Sequence, residues 1–185
     1  MTPFPDGVQA SEILRELRAP GPMELAAGRP RTGDTLARLR SLSGSELLGR
    51  KDLRDPDAAA CVRAGLLLLA NDLDGSHRVS QSIETTDGSY WHGIMHRREP
   101  DYSNSKYWFR RVGDHEIFDG IATAATSLPG LAAEFERGQH DPFHFIDLVE
   151  TCARGARSDL HDELLELQDR EFLLLLTHCY HRAIG

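Results

Sequence analysis

One segment limits the fold more than any other. Asp55-Pro56-Asp57 is followed by AAACVRAGLLLLANDL, Ala58 to Leu73. Asp is a good helix cap, Pro is tolerated in a first helical turn, and an acid suits the positive helix end. The spacing predicts a helix from Pro56 to about Leu73. From Cys61 onward it is apolar on most faces, so other elements must cover it. Neither AGLLLLA nor FLLLL (Phe172 to Leu176) approaches the roughly 18 residues that cross a bilayer, so no membrane partner is expected. A helix apolar nearly all round therefore sits at the centre of a globular core.

The rest of the chain supplies helices to surround it. Asp141-Pro142 repeats the cap-and-proline start, predicting a helix over 142–154. A long final helix is predicted from after Ser158 almost to the end. Further helices are expected at Tyr90–Arg98, from Asn104 to Val112, and over 117–125 and 129–137. The residue before Pro100 is pushed out of helical geometry, so Glu99 ends its helix. SIETTDG, Ser82 to Gly88, is the single short candidate strand. The expected fold is an all-α, single-domain orthogonal or irregular helical bundle. Residues 1–50 read as a loosely organised segment with short helices packing on the core, and 51–185 as the helical core domain. Ser11 caps EILRELR, while TLARLRSL and SELLG give two further pieces too short to persist without tertiary packing.

Charge and cysteine usage narrow the partners. The chain carries 21 basic and 29 acidic side chains, and the acidic excess argues against wrapping a phosphate backbone, so no nucleic acid is expected. Residues 97 to 111 run against the trend, with five basic and two acidic groups, a local island suited to one small anion. Three scattered cysteines without a CxxC pair read as reduced thiols of a cytoplasmic protein. A homodimer is the default assembly. Two motif-like strings fail on inspection. GRPRTGDT has Asp34 where a phosphate loop needs lysine, and NDLDGSH lacks the glycine and glutamate placement of a calcium loop.

The densest chemistry lies in YWHGIMHRREPDYSNSKYWFRR, Tyr90 to Arg111. On a helix His92 and His96 are about 40° apart, and Glu99 falls about 20° to the other side of His92. Two imidazoles and a carboxylate then form one stripe, the arrangement by which a helix serves a metal ion. The pattern HxxxHxxE lacks the intervening glutamate of the common zinc-protease motif. The pair is equally what two half-buried, hydrogen-bonded structural histidines look like. His77, following a Gly-Ser turn, is the preferred third ligand for zinc, manganese or iron. Asp74 is placed to orient a ligand histidine or act as a base, and His178 and His181 read as structural.

Arg97, Arg110 and Arg111 are candidates for balancing substrate charge beside Trp108, on which an arginine can stack. Tyr102 and Lys106 are candidate proton donors, and Glu99 a fourth ligand or base. The stretch, together with the upstream LLLANDLDGSHRVSQSI, resembles a signature of uncharacterised bacterial and fungal proteins over Ala64 to Phe118. That resemblance implies membership of the group and carries no activity, cofactor or substrate. The residues themselves favour metal-assisted hydrolysis of a small polar or anionic metabolite. A non-enzymatic sensor or carrier using the arginine and aromatic cleft, or a structural interaction protein, stays open.

Overall fold

A computed structural model describes residues 3–135 and 139–185 and is all-α, with no strand among them. The helices are α1 (Gln9–Arg18), α2 (Asp34–Ser41), α3 (Gly44–Leu48), α4 (Pro56–Leu69), α5 (Leu73–Ser80), α6 (Thr86–Arg98), α7 (Tyr102–Val112), α8 (Phe118–Thr126), α9 (Pro129–Ala132), α10 (Pro142–Ala153) and α11 (His161–Ile184). A short 3-10 turn, Ser158–Leu160, leads into α11.

The expected central helix is α4. Asp55 accepts the Ala58 backbone N–H at 3.0 Å and Pro56 opens the first turn. Every side chain from Ala64 to Ala70 is buried, and α1, α2, α3, α5, α6 and α11 all pack against the helix. Close approach explains a glycine in it, since a Cβ at Gly65 would meet the Trp91 ring at 2.7 Å. Asn71, in left-handed geometry (φ 58°), stops the chain just past the helix, a conformation Asn adopts more readily than most residues.

Three expectations are corrected. Ser82–Gly88 forms no strand; Thr85 instead caps α6, accepting the Gly88 N–H at 3.2 Å, so this helix begins four residues before Tyr90. The Leu73–His77 stretch is helical rather than a Gly-Ser turn, because buried Asp72 caps α5 through the Gly75 N–H at 3.2 Å. The helix expected over 129–137 is the four residues of α9, and 136–138 lie outside the described residues.

The N-terminal segment is built into the core. α1 buries Ala10, Ile13, Leu14 and Leu17 against α3 and α4. Arg98, fully buried at the end of α6, fastens the following strap. Its guanidinium donates to Glu24 O (3.1 Å), Leu68 O (2.6 Å) and Asn71 Oδ1 (2.7 Å), while its carbonyl accepts Ala27 N–H at 2.8 Å. One side chain thereby adds a further donor to the Leu68 carbonyl, which already accepts the Asn71 N–H at 3.0 Å, and ties residues 24–27 to the end of α4. No helix of the described residues is long and apolar enough to cross a membrane. Tyr107 is the one large hydrophobic side chain in the exposed class among them.

Candidate metal centre

The side chains of α5, α6 and α7 meet because α6 and α7 pack unusually closely. Gly93 permits it: a Cβ there would lie 2.7 Å from Phe109 Cε2 and 2.8 Å from Cδ2. Ser105 locks the pair by donating its hydroxyl to Gly93 O at 2.8 Å. The two histidines of α6 are thus pressed between helices, with His92 and His96 only 2% and 5% exposed.

His77 from α5 joins them. The ligating atoms of His77, His92 and His96 all lie within 4.8 Å of one another. Nε2 of His92 is 3.0 Å from Nε2 of His96. Two nitrogens that far apart, each about 2.0–2.1 Å from one ion, subtend roughly 91–97° at it, near the 90° of adjacent ligands in a six-coordinate site. The ring of His77 stands edge-on to both, with centroids 4.6 Å and 5.6 Å away.

Protonation follows from the hydrogen bonds. His96 Nδ1 lies 3.1 Å from Glu99 Oε2, so Nδ1 carries the proton and donates it, leaving Nε2 as a lone pair turned toward His92. Burial, reinforced by His96 and His77, pushes the imidazolium pKa of His92 down to about 3. Burial also lowers His96, against an opposing hydrogen bond from Glu99. Both rings are therefore neutral at neutral pH, the form that ligates. His92 Nδ1 is buried and has no hydrogen-bond partner.

Glu99 contacts the ring nitrogen remote from this convergence. It orients His96, and a role as fourth ligand does not fit. Asp74 is exposed and does not orient a histidine through any hydrogen bond; its neighbour Asp72 is the buried acid, paired with Arg40 at 2.8 Å. Trp108 stacks on His92, with centroids 3.8 Å apart and planes 17° from parallel, and the Arg111 guanidinium lies 5.2 Å from the Trp108 ring centre.

Helix rotation separates the remaining candidates. Asn104, Trp108 and Arg111 share one face of α7, whereas Tyr102 and Lys106 lie roughly 160° from Asn104 around the axis. Those two line another cleft with Pro100, Asp101, Ser103, Glu150 and Arg154, and Lys106 is ion-paired to Asp147. The proton-donor role expected of them at the histidines is corrected accordingly. Arg110 is exposed and joins neither group through a hydrogen bond. Arg97 is corrected as well. It is completely buried, ion-paired to Glu171, and stacked 4.4 Å above the Phe145 ring. Tyr90 donates to the same carboxylate at 3.1 Å. A guanidinium consumed by the core cannot meet a ligand.

Asp87, His115 and His178 form a second convergent group. It is a different object. His115 Nδ1 accepts the Ile117 backbone N–H at 3.3 Å, so its proton resides on Nε2 and is donated to Asp87 Oδ1 at 2.9 Å. His178 Nε2 lies 3.3 Å from that oxygen, and Arg182 donates to the other oxygen at 3.1 Å. With its nitrogen proton-bearing and a guanidinium on the carboxylate, the group is an ion-pair knot joining α6 to α11. Sequence reading missed it, because Asp87 lies 28 residues from His115 and 95 from Arg182.

No family model, curated protein or solved structure matches this chain. The class is set by its own fold and site: an all-α protein with three histidines converging between packed helices.

Proposed function

We propose that the protein is a metal-dependent hydrolase acting on a small polar or anionic metabolite, with His77, His92 and His96 as ligands for zinc, manganese or iron. The observation that carries this reading is the pair of Nε2 atoms 3.0 Å apart, one of them fixed as a lone pair by Glu99. Imidazole ligands add no negative charge, so three of them would leave the full charge of a divalent ion available and positions open for water and substrate. The ion would lower the pKa of its water and polarise the scissile carbonyl or phosphoryl group. Hydrolysis there would consume one water, its hydroxyl going to the scissile centre and its proton to the leaving group. Arg111, over the Trp108 ring that stacks on His92, would supply positive charge for an anionic substrate.

Metal analysis of untagged protein tests the reading. It expects close to one equivalent of a transition metal, lost in H96A with near-native melting temperature. Less than about 0.2 equivalent after supplementation with zinc, manganese or iron rejects it, as does a large stability loss in H96A with occupancy unchanged.

A non-enzymatic ligand-binding role is favoured by one separate observation. A cleft of about 470 Å³, lined by Glu24, Leu25, Tyr102, Cys152, His161 and Leu165, has the size and mixed lining of small-molecule sites. Binding there is independent of the histidines and survives H96A.

A further inference from the structure

Asn104 holds a position that no sequence motif assigned. Its amide Nδ2 is 3.1 Å from Nε2 and 3.4 Å from Nδ1 of His96. A point so nearly equidistant from the two ring nitrogens would overlap the ring atoms if it lay in their plane. The amide therefore lies over the face of the imidazole. Both in-plane directions stay with other partners, Nδ1 with Glu99 and Nε2 with the convergence point.

An ion about 2.0–2.1 Å from Nε2 in the ring plane would leave Asn104 Nδ2 roughly 4 Å away, above the ligand ring. That is too long for ligation. It is the right reach for donating an N–H to a water or anion bound to the ion on that side. We propose that Asn104 is the hydrogen-bond donor to whatever oxygen or nitrogen ligand fills the open position of the centre.

The placement is built rather than incidental. The Asn104 backbone N–H is fixed by the capping carboxylate of Asp101 at 3.1 Å, and the next residue, Ser105, is bonded to Gly93 of α6. On the same face Trp108 covers His92, so one turn of α7 addresses both α6 histidines. Tyr102 and Lys106 face away, which leaves the Asn104 amide to stabilise negative charge beside the ion. A donor that gains strength as its partner becomes anionic is what a metal-bound hydroxide requires.

This inference rests on the metal-centre reading, and the experiment separates the two. Cobalt(II) is loaded into wild type, N104A and the near-isosteric N104L, and azide is titrated against the visible absorption bands. Wild type is expected to hold one cobalt and bind azide. N104A and N104L are expected to hold cobalt equally and bind azide about tenfold more weakly, the loss of one hydrogen bond to a charged partner. Unchanged azide affinity with cobalt retained overturns the donor role and leaves the centre standing. Loss of cobalt from both variants at wild-type melting temperature overturns it too, because Asn104 is then a ligand. Where N104A melts early, N104L is the variant read, and failure of both to fold overturns the role as well. Wild type that takes up no cobalt removes the centre, and the donor role with it.

Discussion

His96 and Glu99, one helical turn apart at the end of α6, are joined by a 3.1 Å contact between Nδ1 and Oε2 that decides which nitrogen of His96 is free. Glu99 is half-exposed while His96 is buried, so the proton is fixed from the solvent side and the lone pair points inward. E99Q can satisfy the same nitrogen as a neutral acceptor but no longer strengthens the ring as a donor. Its metal affinity is expected to fall about 10-fold, and that of E99A up to about 100-fold, with helicity unchanged. Chelator competition measures this, and wild-type affinity in E99A would remove the orienting role.

Arg97 and Arg111 make opposite predictions from similar sequence surroundings. Arg97 is paired with Glu171 where neither side chain reaches solvent. R97A strands a buried carboxylate and is expected to cost about 3–5 kcal/mol. Exposed Arg111 is expected to cost under about 0.5 kcal/mol as R111A. The double variant R97M/E171L removes both charges and should recover part of the loss, the Tyr90 hydroxyl then lacking its acceptor. Denaturant titrations of the four proteins decide it, and an R97A protein as stable as wild type refutes the buried-pair account.

The knot at Asp87 gives a pH dependence of fixed sign. Burial pushes the Asp87 carboxyl upward, but hydrogen bonds with His115 and His178 outweigh it and hold the pKa well below the usual carboxylate range. The hydrogen bond to Asp87 raises the imidazolium pKa of His178 above its ordinary value. A depressed carboxylate stabilises the fold above about pH 4, and this is lost as pH falls through the native pKa. A raised histidine stabilises it below about pH 6.5, and this is lost as pH rises through the native pKa. The melting-temperature gap between wild type and H178Q is therefore expected to be widest between about pH 4 and 6.5 and to narrow above that range. A gap that widens with rising pH would contradict the pairing.

Gly93 is expected to act on the site from a distance. In G93A the new methyl meets Phe109 at under 3 Å unless α6 and α7 separate. Such overpacking costs about 1–3 kcal/mol. The same separation carries Asn104 away from His96, so the azide affinity of the cobalt-loaded protein should drop along with melting temperature. G93A with native affinity would show that the closeness of the two helices is irrelevant to the centre.

Local signals in the sequence were the readable ones. The caps at Asp55 and Asp141, the apolar girth of α4 and the shared stripe of His92 and His96 depend on residues a few positions apart. α5 was missed because Asp72 followed by Asp74-Gly75-Ser76 serves equally as a turn and as a capped helix start, and only packing against α4 and α6 selects the helix. The roles of Tyr102 and Lys106 were misplaced for another reason. Which face of α7 meets α6 is set by Gly93, Ser105 and Phe109 together. Asn104 had a usable signal, since it precedes Trp108 by four residues and Arg111 by seven. The burial of Arg97 had none nearby, because Glu171 is 74 positions away.

That separation also orders events during synthesis. Arg97 leaves the ribosome long before Glu171 does, and until then its guanidinium has no carboxylate to meet inside the core. A nascent chain ending before α11 must keep this part of α6 open to water. Closure around Arg97 is thus deferred until the final helix arrives, whereas the histidines of α5 and α6 pack with α7, which is complete well before it.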